Sequence, residues 1–83
     1  MSLEIGSVVK SLKGRDSQKY FCVVGIDGEY VLLADGDLRK LEKPKRKRLK
    51  HIELTTQKLQ TEALQVNKHL NKAVRGLTIL KEE

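Results

Sequence analysis

Up to Ala34 the apolar residues fall in short runs separated by glycine and acidic residues, which is strand patterning rather than helical spacing. Ser7-Val8-Val9-Lys10-Ser11-Leu12 is short and β-branched, and it stops at the polar turn Lys13-Gly14-Arg15-Asp16-Ser17. Tyr20-Phe21-Cys22-Val23-Val24-Gly25-Ile26 is apolar on both faces, as a central strand must be. Asp27-Gly28 is a two-residue hairpin signal of the type I′ kind, and Tyr30-Val31-Leu32-Leu33-Ala34 reads as the returning strand. Asp35-Gly36 repeats the signal and predicts a third, shorter strand over 38–41, completing a meander.

Lys43-Pro44-Lys45-Arg46-Lys47-Arg48 interrupts this pattern. Proline lacks a backbone donor and fixes φ, so the segment is expected to be a connection or a strand edge. Leu49, Ile52 and Leu54 among polar neighbours predict another strand over 49–54. Residues 55–65 are compatible with a short closing strand or with the start of a helix. From Asn67, a candidate cap, the spacing of Leu70, Ala73, Val74 and Leu77 predicts a helix with one apolar stripe. That stripe is expected to lie against the barrel, with a partner surface as the other option. The chain then divides into a β-barrel over 1–65 and a helical tail over 66–83 packed on the same domain.

Charge changes the picture in one place. Residues 39–51 hold eight of the chain's 17 bases and one of its 11 acids, so this window carries more positive charge than the whole chain's +6. So dense a run, in a chain patterned to fold, reads as a polyanion-binding footprint, with a solvated face as the bland alternative. The bases are Arg39, Lys40, Lys43, Lys45, Arg46, Lys47, Arg48 and Lys50, and His51 follows them. A second candidate is Lys13-Gly14-Arg15, where glycine lets backbone approach a phosphate between two cations. A plain turn with Asp16 bonding its own backbone explains the same residues.

The lone Cys22 excludes an internal disulfide and paired-cysteine zinc sites, and it reads as a small core hydrophobe. No signal-like leader or membrane-length apolar run is present, so a cytoplasmic chain is expected. Two histidines, one cysteine and no phosphate-cradling loop do not compose a catalytic site, so neither enzyme activity, cofactor nor metal is expected. Phe21 is expected in the core, while Tyr20 and Tyr30 could sit at an edge. With so few aromatics, a nucleic-acid polyanion would be recognised through phosphate contacts and shape.

Ile5-Gly6-Ser7-Val8-Val9-Lys10-Ser11, Gly14-Arg15-Asp16 and the strand from Tyr20 to Ile26 together resemble the KOW motif of ribosomal and transcription elongation proteins. The continuation through Ala34-Asp35-Gly36, the basic run and Lys50-His51-Ile52-Glu53-Leu54 resembles the large-subunit ribosomal protein fourteen-e family and its short bacterial relatives. The similarity covers residues 4–54 and, more loosely, 67–77, and it departs at the tail, which lacks the basic extension of eukaryotic members. It implies a mainly β, SH3-like barrel with a short C-terminal helix that binds ribosomal RNA, with ribosomal proteins as further partners. A monomer, without membrane association, is expected when free. The rival reading is a protein-interaction module that docks an acidic partner, since SH3-like folds do not fix function.

Overall fold

Tyr20–Asp27, the segment apolar on both faces, forms the central strand of a five-stranded antiparallel sheet. The computed structural model describes residues 3–81, with side chains for 3–77. Its strands are β1 (Ser7–Ser11), β2 (Tyr20–Asp27), β3 (Tyr30–Ala34), β4 (Lys45–Arg48) and β5 (Ile52–Lys58), in the spatial order β4-β3-β2-β1-β5. Short 3-10 turns occupy Leu49–His51 and Thr61–Leu64, and helix α1 runs over Asn67–Lys81. The tail end, residues 82–83, lies outside the described residues.

Because successive residues of a strand face opposite ways, β2 serves two apolar layers. Phe21 and Val23 join Val9, Val31 and Leu33 in an inner layer, with Ile52 and Leu54 packed against it. Cys22 joins Ala34 on the other face, where Leu70 and Val74 of α1 cover them. The predicted helix thus lies on the sheet as expected, and Cys22 is a core residue. Burial pushes its thiol up to about 12, so it stays protonated.

Several local expectations are corrected. The β2–β3 turn sits one residue later than the Asp-Gly pair suggests: Asp27 pairs with Tyr30, leaving Gly28 and Glu29 as the central residues. Positive φ occurs at Gly28 but not Glu29, which meets the requirement of a type II′ turn rather than I′. Residues 38–41 form no strand. The Asp35 carboxylate instead accepts from the amides of Asp37 and Arg39, both at 2.9 Å, while the amides of Asp35 and Gly36 donate to the Arg39 carbonyl at 2.9 and 3.0 Å. These four bonds roll the chain into a closed loop. The third strand of the meander is β4, built from the basic run itself, and Pro44 stands just before this edge strand.

Strand pairing also fails to resume at Leu49, because Leu49–His51 turns through a 3-10 segment before β5 begins. That short link constrains the sheet. A flat five-stranded sheet would hold its edges about 19 Å apart, whereas the chain from Arg48 to Ile52 can span no more than about 15 Å. The sheet must therefore curl, although its pairing order stays open at β4 and β5. Among the described residues no helix is long and apolar enough to cross a membrane.

Asn67 does not cap its own helix with its side chain. Its Oδ1 accepts from the Leu41 amide at 2.7 Å and its Nδ2 donates to Glu42, tying the 35–44 loop to α1. Gly36 completes the junction: at φ +79, a Cβ placed there would lie 2.2 Å from the Asn67 carbonyl oxygen. Gly28, at φ +62, has nothing within 4 Å of its Cβ position. Alanine at either site pays about 1–2 kcal/mol for left-handed backbone. Gly36→Ala adds a backbone collision, and it should destabilise by a further ~1–3 kcal/mol. Urea unfolding of the two variants checks this, and equal losses would show that the loop is not pressed on the helix.

Candidate nucleic-acid interface

Strand β4 contains no apolar residue, yet its four bases obey strand geometry. In register with β3, Lys45 stands opposite Leu33 and Lys47 opposite Val31, both inner-layer residues. Arg46 and Arg48 stand opposite Leu32 and Tyr30 on the outer face. The run is thereby sorted, lysines inward and arginines outward.

An inward ammonium needs partners, and the loop after β1 supplies them. Lys47 Nζ donates to Asp16 Oδ1 at 2.7 Å, to the Lys13 carbonyl at 2.7 Å and to Ser11 Oγ at 2.6 Å. Three protons thus meet three acceptors. Ser11 Oγ in turn donates to Asp16 Oδ1 at 2.9 Å. Lys45 Nζ lies 3.1 Å from Asp16 Oδ2, close enough for charge attraction but off the line of a hydrogen bond. Burial alone would raise the Asp16 pKa. The bonds from Lys47 and Ser11, with Lys45 close by and the Lys47 charge, outweigh it and hold the carboxyl well below its ordinary value.

The Lys47 side chain is 8% exposed and fully engaged, so this residue of the basic run is a clamp rather than a phosphate contact. Gly14, at φ +92, backs onto the same pair: its Cβ position would lie 3.8 Å from Lys47 Nζ. A Cβ there would make only ordinary contact, so the glycine answers to the left-handed backbone of the turn and not to a close approach. Nor is the loop a plain turn, since Asp16 reaches 31 residues along the chain instead of bonding its own backbone.

The outer face is differently built. The Arg46 guanidinium lies 3.9 Å above the Tyr30 ring centroid, and that of Arg48 lies 5.6 Å away. Arg48 Nε donates to the Tyr30 hydroxyl at 3.3 Å. Arg46 also pairs with Asp27 at 3.8 Å, but both are exposed and the pair contributes little. The Tyr30 contacts hold both guanidiniums on the exposed face of β4, where their N–H groups can meet a phosphate. Lys50 is exposed in the turn that follows, and Lys13 acts on the adjacent His51. Partial burial, then the charges of Lys13, Lys50, Arg48 and Lys47, lower the His51 pKa, so its imidazole is neutral at pH 7. His51 can contribute a hydrogen bond to this surface.

Not all the anticipated residues converge. Lys40 and Lys43 are exposed in the 35–44 loop, while Arg15, Arg39 and Lys45 line a cleft on the inner side. Tyr30 was ambiguous from the sequence and organises the outer arginines; Phe21 is 1% exposed, in the core. Among the described residues no group of three acidic, histidine or cysteine side chains could hold a metal.

No protein-family model matches the chain, and no curated protein sequence matches it. The functional reading therefore rests on the residues themselves.

Asp16→Asn should cost about 3 kcal/mol at neutral pH, because it leaves two inward ammonium groups without their counter-charge. The Asp16 carboxyl titrates lower in the folded than in the unfolded chain, so its contribution is complete above the ordinary aspartate value of about 4 and is lost as pH falls below it. Urea unfolding across that range should show a steeper acid loss in the wild-type chain than in the variant. Parallel curves would exclude Asp16 as the source.

Proposed function

We propose that this is a non-catalytic RNA-binding domain, an SH3-like barrel of the KOW kind, that docks on ribosomal RNA through the outer face of β4 and the turn after it. The observation that carries the reading is the pair of arginines, Arg46 and Arg48, arrayed on Tyr30 along an edge strand that Lys47 and Asp16 anchor from behind. The forced curl of the sheet and the 3-10 link from β4 to β5 support the barrel assignment.

Function follows from charge and fixed placement. Each cation that meets a phosphate releases condensed counterions, which makes affinity depend steeply on salt. Side chains already held against a ring lose less freedom on binding than free ones. Arg46 covers the Tyr30 ring, so a base could stack there only by displacing it. Phosphate contacts and RNA shape, rather than base stacking, are the mode this surface favours.

The test is a salt titration of binding to structured ribosomal RNA, single-stranded RNA and duplex DNA, comparing wild type with Arg46→Ala/Arg48→Ala. Lys45 and Lys47 must be left intact, since removing them breaks the clamp as well as the charge. Structured RNA should bind best. On single-stranded RNA the slope of log K against log salt should shrink by about 1.4 in the variant, the loss of two phosphate contacts. An unchanged slope, or a chain that ignores RNA and binds an acidic peptide instead, would sink the assignment.

A further inference from the structure

The inner side of the sheet carries a second basic feature that the β4 face does not use. A cleft of about 320 Å³ opens between the loop after β1 and the loop after β3, at the low end of the size range of small-ligand sites. Arg15, Lys19, Arg39 and Lys45 line it, with Phe21 as an apolar floor and Leu38, 61% exposed, at the rim. The one acid in the lining is Asp16, already matched by Lys47 and Lys45. Among the described residues Arg15, Lys19 and Arg39 form no ion pair, although Asp35 and Asp37 line the neighbouring hollow beside Lys19, so the cleft presents three cations free of direct pairing.

Both walls are fixed before any ligand arrives. The amide of Gln18 donates to the Ser11 carbonyl at 2.7 Å, and that of Lys19 to the Asp16 carbonyl at 3.0 Å, closing the loop that carries Arg15. The Asp35 carboxylate and the α1 junction hold the loop that carries Leu38 and Arg39. Three cations around so small a space exceed what one phosphodiester, with a single negative charge, would balance. A phosphate monoester carries about −1.5 to −2 near neutral pH and offers three acceptor oxygens. Leu38 at the rim would meet the sugar or base attached to it.

We infer that this cleft receives the terminal phosphate monoester of an RNA chain, at a site separate from the β4 arginines. The inference rests on the RNA-binding reading above. Affinities are to be measured for one short single-stranded RNA bearing a 5′-phosphate, a 3′-phosphate or hydroxyls at both ends, with a nucleoside monophosphate alone as a further probe. A phosphorylated end should bind about tenfold more tightly than hydroxyl ends, which is ~1.4 kcal/mol.

Arg15→Ala/Arg39→Ala, both exposed and outside the clamp, should bring that ratio to unity. Arg46→Ala/Arg48→Ala should weaken every RNA alike and preserve the ratio. Equal affinity of the wild type for all three ends overturns the cleft assignment and leaves the RNA reading intact. So does a ratio that survives in the cleft variant, or a nucleoside monophosphate that binds as tightly as the phosphorylated RNA. Failure to bind any RNA overturns both readings.

Discussion

Lys47 and Asp16 meet across the mouth of the inner layer, and the arrangement of every base in β4 follows from that contact. A strand without apolar residues has nothing in its own composition to decide which side faces the core. A one-residue slip would turn Arg46 and Arg48 inward and free the lysines. The three acceptors around Lys47 Nζ exclude that register, because they match an ammonium's three divergent protons and not a planar guanidinium. A buried ion pair is weak evidence for stability in itself, since desolvation offsets much of its attraction. Here its consequence is register.

The same contact joins parts of the chain that would otherwise be independent loops. Asp16 draws the turn after β1 onto β4, and Asn67 with Gly36 draws the loop after β3 onto α1. Both basic surfaces therefore stand on fixed backbone. A domain of 83 residues buries only roughly 60–65% of the surface its unfolded chain exposes, so such polar ties matter more here than in a larger core. The two surfaces also differ in kind. The outer one is extended and open, suited to a run of phosphates, whereas the inner one is small and bounded.

Much of this was written locally. Apolar residues on both faces made β2 recognisable as a central strand, and the spacing of Leu70 and Val74 gave α1 its buried stripe. Where a turn signal could serve two outcomes, local chemistry misled. Asp35-Gly36 has the composition of a hairpin turn, but its carboxylate rolls the backbone into a loop and its glycine is required by the helix beside it. Asn67 likewise has the makings of a cap and is taken by the same loop.

The basic run marks the boundary between the two kinds of information. Its charge, its density and the proline before it were legible in order along the chain, and so was the expectation that it would lie at an edge. That Lys47 is buried, that Arg46 stacks on Tyr30 and that Arg15 faces Arg39 across a cleft were not. One signal pointed that way: if Lys45-Arg46-Lys47-Arg48 is a strand, alternate bases must turn inward and some acid must receive them. Composition and period set which segments become strands, because those choices depend on neighbours a few residues away. Which cation faces outward and which holds the fold together was decided only in three dimensions, because the deciding carboxylate stands 31 residues from its lysine.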